Sequence, residues 1–421
     1  MADARAHVED LAQFVQAAPT SYHAAREVGE RLAKAEFQRL DELTDWPELG
    51  AGGYYFIREG AVIAWRIPEG AGGDSSARII GSHTDSPAFK LKPNPDITAF
   101  GWQQAGVEVY GGPIVHTWTD RDLGFAGRLV TREETRLVRT GPIARIPNVA
   151  IHLDRSLAEG VQLDRQQHLQ PILAVDSPET DVLEMLCDAA EIGQDELLGY
   201  DIFTFDTQPP AIIGAEEQFF ASTRMDNLSS VHAGLTALLA AEDADDIVVL
   251  AAFDHEEVGS GSRSGAAGPI LEDALRRIWH SIGAEAHQFP TMISRSSCVS
   301  ADAGHAINPN HPEKHDPWNQ PLLTKGPLLK LNANQRYASD ALSAAIWYKA
   351  CEEAEVETQA FVSRNTIPCG STIGPITAAR LGLQTVDVGV PLLGMHSVRE
   401  LAGVQDLADL AAVLEAYLLG A

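Results

Sequence analysis

The 421-residue chain carries 59 acidic against 31 basic residues, a formal net charge of −28, and 45% of its residues are hydrophobic. That hydrophobic share excludes a disordered chain, and the length suits two domains or one large α/β domain with an insertion. So negative a surface repels phosphate backbones and anionic membranes, which speaks against nucleic-acid and membrane partners; an acidic substrate needs local positive charge at its site.

In chain order, residues 6–17 and 23–40 predict amphipathic helices, separated by Ala18-Pro-Thr-Ser21, a stop followed by a cap. Segments 53–57, 61–66 and 77–82 are short apolar or β-rich runs broken by Gly and Pro, as strands are. From Lys92 the texture changes to short β-like pieces punctuated by Pro93, Pro95, Gly101, Gly106, Gly111 and Gly112, ending near Gln208-Pro-Pro-Ala211. Within it, 178–196 predicts a helix rich in acidic residues. After 225 an α/β rhythm returns: a helix over 226–241, a buried parallel strand over 246–253, a Gly/Ser-rich loop at 259–268 and a helix over 269–281. Strand-like pieces recur at 296–301, 328–332, 358–362 and 384–390, with helices between them and a terminal helix over 404–419. This alternation predicts an α/β fold with a mainly parallel sheet covered by helices, interrupted by an inserted β-rich domain. The boundaries expected are 1–92 and 211–421 for one discontinuous domain and 93–210 for the insertion.

Cys187, Cys298, Cys351 and Cys369 are widely spaced, with no CxxC pair. They form neither a disulfide framework nor a thiolate zinc knuckle, and fit a reducing cytoplasm. The first 16 residues mix charge with apolar positions, unlike a signal peptide, and no run approaches the ~18 apolar residues of a membrane span. A cytoplasmic protein is expected.

Histidines and carboxylates sit where strands end. His83 and Asp85 follow the 77–82 run, Glu256 and Glu257 follow Phe253, Asp302 follows Cys298-Val-Ser-Ala301, and His396 lies beyond Val388-Gly-Val-Pro-Leu-Leu393. In open α/β sheets, ligands bind where loops leave the carboxyl ends of strands, so these loops are expected to converge. Imidazole with carboxylate suits zinc, cobalt or manganese. A two-metal site needs a bridging carboxylate, an open position for water and a base. Glu256 and Glu257 suit a division between base and ligand, and Asp85 is placed to hold His83 in its ligating tautomer. Taken singly, each feature has a plain reading: a His-x-Asp loop pair, a solvated acidic turn, Asp226 as a helix N-cap, a turn aspartate, a loop histidine. Only their joint placement favours a metal centre.

Gly81-Ser-His-Thr-Asp-Ser-Pro87, Arg224-Met-Asp-Asn-Leu228, Asp254-His-Glu-Glu-Val-Gly-Ser260, Ser300-Ala-Asp-Ala-Gly-His305 and Gly394-Met-His-Ser-Val-Arg-Glu400 together resemble the aspartyl aminopeptidase family of zinc metallopeptidases. The tracts His116-Thr-Trp-Thr-Asp-Arg-Asp-Leu123, Lys325-Gly-Pro327, Asn334-Gln-Arg-Tyr-Ala-Ser339 and Cys369-Gly-Ser-Thr-Ile-Gly-Pro375 agree, in order along essentially the whole chain. The resemblance implies two zinc ions per subunit, one held by His83, Asp226 and Asp302 and the other by Asp226, Glu257 and His396. It implies Glu256 as general base, Asp85 as orienter of His83, and Lys330 in the pocket for an N-terminal Asp or Glu. It further implies peptide substrates with a free N-terminus, an inserted dimerisation domain, and a tetrahedral dodecamer in which His116 reaches a neighbouring subunit's site. His255 and Thr119 depart from residues common in the family, which leaves substrate preference open.

Two rivals stand beside this reading. Another two-metal amidase, such as a deacylase or dipeptidase, would use the same ligands with a different substrate grip. A non-catalytic peptide-binding scaffold would keep the fold but has no use for Glu256.

Overall fold

A computed structural model describes residues 4–177 and 179–421. Its central feature is a nine-stranded mixed sheet. Four strands at its centre, Ile247–Phe253, Ala77–His83, Ser297–Ala301 and Gln384–Gly389, are parallel neighbours in that order. Ala61–Ile67 joins antiparallel on one side and Leu328–Leu331 antiparallel on the other. The first of the central strands shows why helices cover both faces. Val248, Leu250 and Ala252 enter one apolar core while Ile247, Val249, Ala251 and Phe253 enter the other, the two-residue period of a strand buried on both sides. Helices Ala4–Ala17, Ser21–Lys34, Met225–Ala240, Ala341–Glu353 and Val404–Leu418 contribute to the first core. Ile270–Ser281, Phe289–Arg295 and Ile373–Leu381 contribute to the second.

Between Ala88 and Asp206 six strands form a separate antiparallel sheet with its own core, to which the helix Val182–Ala189 adds Val182, Leu186 and Cys187. A third, five-stranded sheet runs from Ala211–Ile213 and Phe219–Ser222 to the late strands Glu400–Gly403, Pro391–Leu393 and Gly304–His305.

Two element expectations are corrected. The helix expected over 23–40 ends at Lys34, because Glu36 takes a left-handed φ of 62° and the chain leaves as an extended segment. The acidic helix expected over 178–196 is confined to Val182–Ala189, N-capped by Asp181, followed by a short 3-10 turn at Gln194–Glu196; residue 178 lies outside the described residues. No helix among the described residues is long and apolar enough to cross a membrane.

Candidate active site

The parallel strands place the chemistry. His83 is the last residue of Ala77–His83, and its neighbour strand ends opposite it at Phe253, so the 254–257 turn leaves the sheet beside His83. Asp302 follows the next strand, Ser297–Ala301, and its backbone lies against Gly389 of Gln384–Gly389. A Cβ at Gly389 would stand 1.7 Å from the Asp302 carbonyl oxygen, so only glycine lets these two strand ends approach. Asp226 opens the helix Met225–Ala240 and is steadied on both sides: Ser86 Oγ donates to its carbonyl at 2.6 Å, and Asn227 Nδ2 donates to Ala301 O at 2.9 Å. Arg224, His255 and His396 all have left-handed φ angles, of 57°, 64° and 66°. Each such non-glycine residue costs on the order of 1–3 kcal/mol, and all three lie on turns next to or bearing candidate ligands.

The side chains converge as the strand ends predict. His83 Nε2 lies 3.3 Å from Asp226 Oδ1, 3.5 Å from Asp302 Oδ1 and 3.9 Å from Glu256 Oε2. His396 Nε2 lies 3.3 Å from Asp226 Oδ2 and 3.4 Å from Glu257 Oε1. Candidate ligand atoms of His83, Asp226 and Asp302 lie within 4.8 Å of one another, and so do those of Asp226, Glu257 and His396 and those of His83, Glu256 and Glu257.

The other imidazole nitrogens settle what faces what. His83 Nδ1 sits 3.1 Å from the Asp85 carbonyl and 3.3 Å from its Oδ1, and His396 Nδ1 sits 3.0 Å from Gly112 O. These acceptors favour the proton on Nδ1, which turns the Nε2 lone pairs toward carboxylate oxygens. Asp226 Oδ1 and Glu257 Oε1 are buried with no hydrogen-bonding partner among the described residues. Lone pairs converging in a buried space are stabilised by cations placed between them, and nitrogen with oxygen donors in this number suits zinc.

Electrostatics bear the same stamp. Burial, reinforced by Asp302, Asp226 and Asp85, pushes Glu256 up to about 7 against the pull of His83. Burial and Asp226 push Glu257 well above the carboxylate range. Burial opposes charge on His396, yet the Asp226 and Glu257 carboxylates beside it raise it to about 10. Asp226 is held low despite burial, by the His396 and His83 imidazoles beside it.

Asp85 contacts more than His83. Its Oδ1 accepts the Glu256 amide at 3.0 Å, and its Oδ2 accepts the Glu257 amide at 3.1 Å and the Tyr110 hydroxyl at 2.8 Å. Lys330 is buried, with Nζ 3.8 Å from Asp302 Oδ2 and 5.2 Å from the centre of the Tyr337 ring. His116 lies apart: it is exposed in the 3-10 turn Val115–Trp118, and no described contact joins its side chain to the cluster. Sequence reasoning missed Tyr110 and the buried Glu400. Glu400 stood inside a tract already singled out, but nothing in its local pattern marked it.

Residues 14–418 match the family described as aminopeptidase I zinc metalloprotease (M18). A probable M18 family aminopeptidase 2 of Streptomyces coelicolor is 47% identical, with 98% of each chain covered. One from Pseudomonas aeruginosa strain UCBPP-PA14 is 44% identical, with 97% of each chain covered. Among solved structures, Ape4 in its complex with Nbr1 superposes with a TM-score of 0.94 at 34% identity, covering 99% of this chain and 86% of that one. The S. cerevisiae mApe1 dodecamer superposes with a TM-score of 0.87 at 28% identity, covering 97% and 95%. The chain is therefore a metalloaminopeptidase and belongs to the M18, or aspartyl aminopeptidase, family of zinc aminopeptidases.

Proposed function

We propose that this aminopeptidase holds two zinc ions per subunit and hydrolyses the first peptide bond of substrates with a free N-terminus, preferring N-terminal Asp or Glu, with Glu256 as general base. The observation that carries the reading is the Asp226 carboxylate between two imidazoles, one oxygen 3.3 Å from each Nε2. His83, Asp226 and Asp302 would hold one ion and Asp226, Glu257 and His396 the other, with Asp226 as bridge. Cobalt or manganese suits the same donors. When bound, the metal supplies Lewis acidity that lowers the pKa of water and polarises the scissile carbonyl.

Glu256 is left out of both proposed ligand sets, although its carboxylate also groups with His83 and Glu257, and it reaches within 3.9 Å of His83 Nε2. It takes the proton of the attacking water and returns it to the leaving amine. Asp85 keeps the His83 tautomer and holds the amides of the Glu256–Glu257 turn. Carboxylates around the site receive the substrate's α-ammonium group, which confines cleavage to the N-terminus. Lys330 binds the acidic side chain; its support is a buried cation beside Asp302 in a chain of net charge −28.

The same reading takes 1–92 and 211–421 as a catalytic domain and 93–210 as an inserted dimerisation domain; the separate sheet and core that begin at Ala88 support an insertion there. It assigns the chain to a homo-oligomer, a tetrahedral dodecamer, in which the exposed His116 reaches a neighbouring subunit and hydrogen-bonds the oxyanion. The dodecameric relative supports that assembly, and four cysteines free of disulfides support a cytoplasmic setting.

The test is release of Asp, Glu and Leu from free and N-acetylated peptides, with zinc and then with a chelator. Chelator-sensitive release of acidic residues from free N-termini is expected. Cleavage of acetylated peptides would overturn the reading in favour of a deacylase.

A further inference from the structure

We propose that Tyr110, on a strand of the second sheet, is a positioning residue for this reaction: its hydroxyl fixes Asp85, and through Asp85 both the His83 imidazole and the Glu256–Glu257 turn. The inference rests on reading His83 as a ligand and Glu256 as the base.

The geometry is a shared carboxylate with every direction used. Asp85 is 4% exposed, so its oxygens depend mainly on protein donors. Oδ1 meets His83 Nδ1 and the Glu256 amide; Oδ2 meets the Glu257 amide and the Tyr110 hydroxyl. Three of these partners come from the loops that leave the large sheet. Tyr110 ends the strand Trp102–Tyr110 of the six-stranded sheet and is the one partner from outside. Without its hydroxyl, Oδ2 keeps a single donor, and the carboxylate is free to rotate away from His83 and the two amides it orders.

The ring is held independently of the hydroxyl. It packs edge-on against Phe203, on the strand Gly199–Asp206 of the same sheet, with centroids 5.3 Å apart and planes at 81°. Burial and the Asp85 charge push its phenol far above the usual range, so it remains a donor. The residues that follow clasp the other half of the site. Gly111, at φ 70°, passes so close to Glu257 that an added Cβ would stand 3.2 Å from that residue's Cβ. Gly112 O meets His396 Nδ1 at 3.0 Å, the Ile114 amide donates to His396 O at 2.9 Å, and the Val398 amide donates to Thr117 Oγ1 at 3.0 Å. One short segment leaving the second sheet thus touches the surroundings of both ligand triads, and Tyr110 is its side-chain anchor.

Tyr110→Phe in the full-length protein keeps the ring and removes only the hydroxyl. Loss of a direct outer partner of a metal-binding histidine typically weakens metal affinity about 10–100-fold; Tyr110→Phe acts through Asp85, so a measurable fall of up to that size is expected in competition with a chromogenic chelator for zinc. A lower kcat with little change in KM is expected on the same preparation. Asp85→Asn should lower zinc affinity too, and Tyr110→Phe should add little in that background. Unchanged zinc affinity and kcat in Tyr110→Phe, or a lower melting temperature alone, would overturn the proposal; so would independent, multiplying losses in the double variant. Zinc affinity is read without turnover, so it tests Tyr110 even if Glu256→Gln should prove active and the assignment of the base fail.

Discussion

The buried carboxylate of Glu400 accepts the Asp226 amide at 3.0 Å through Oε2, while its Oε1 accepts the His396 amide at 2.8 Å. It thereby sets the backbone of the residue whose carboxylate lies between the two imidazoles, together with that of one of those imidazoles. Both amides sit on turns with left-handed residues, where a helix or strand ladder supplies no partner.

Glu400→Ala should therefore damage the fold and the site together. It leaves two inward amides without an acceptor, at about 1–3 kcal/mol each. A lower urea midpoint and weaker zinc retention are expected, with the midpoint read by circular dichroism. A variant as stable as the parent would show that water or another acceptor replaces the carboxylate at no cost.

Glu256→Gln tests the proposed division between base and ligand. The side chain keeps its size and the turn keeps its amide bonds to Asp85. Removing a general base typically costs 10²–10⁴-fold, so kcat should fall by about that factor while zinc content per subunit, measured by atomic absorption, stays at the parent value. Loss of zinc along with activity would place Glu256 among the ligands instead.

Lys330→Met tests selectivity. A hydrogen bond to a charged group contributes about 1.5–3 kcal/mol, so the ratio of kcat/KM for Asp over Leu substrates should drop by about 10–100-fold. Taking the ratio cancels any general damage from removing a cation near Asp302 and Asp387. An unchanged ratio would show that the ammonium group serves the buried carboxylates and not the substrate.

These outcomes bear on how much of the molecule could be read from its sequence. The strand Ile247–Phe253 was legible because a run of seven buried apolar residues between polar turns has few other uses. His83, Glu256, Glu257, Asp302 and His396 were legible as candidates because each follows a strand-like run, whereas Asp226, whose own pattern reads as a helix N-cap, entered only through the family resemblance. Glu400 and Tyr110 were not legible. Glu400 acts on an amide 174 positions away, and Tyr110 on a carboxylate 25 positions away across two sheets. Such contacts leave no periodicity and no local motif. The five-stranded third sheet escaped for a similar reason: its strands are short, of two to four residues, and pair across nearly two hundred positions.

The final prediction concerns pH and stability away from the metal centre. His23, in the helix Ser21–Lys34, is 2% exposed, with Nδ1 2.8 Å from the Oγ1 of its own N-cap, Thr20. Burial first, then Arg26, Arg224 and Arg139, lower its pKa to about 3. The unfolded chain takes up this proton near pH 6.5, the folded chain only near 3. Between those values the unfolded state binds more protons, so the histidine's contribution is fully present above pH 6.5 and shrinks as pH falls. Between pH 7 and 5 that linkage amounts to about 2 kcal/mol. His23→Gln lacks the titration and keeps an amide able to meet Thr20, so it should lose less stability over the interval than the parent. Zinc release on acidification affects both proteins alike, and the difference between their urea midpoints at pH 7 and pH 5 cancels it. Parallel pH profiles would mean that His23 is protonated in the folded protein, with its charge carried by a neighbour the structure does not pair with it.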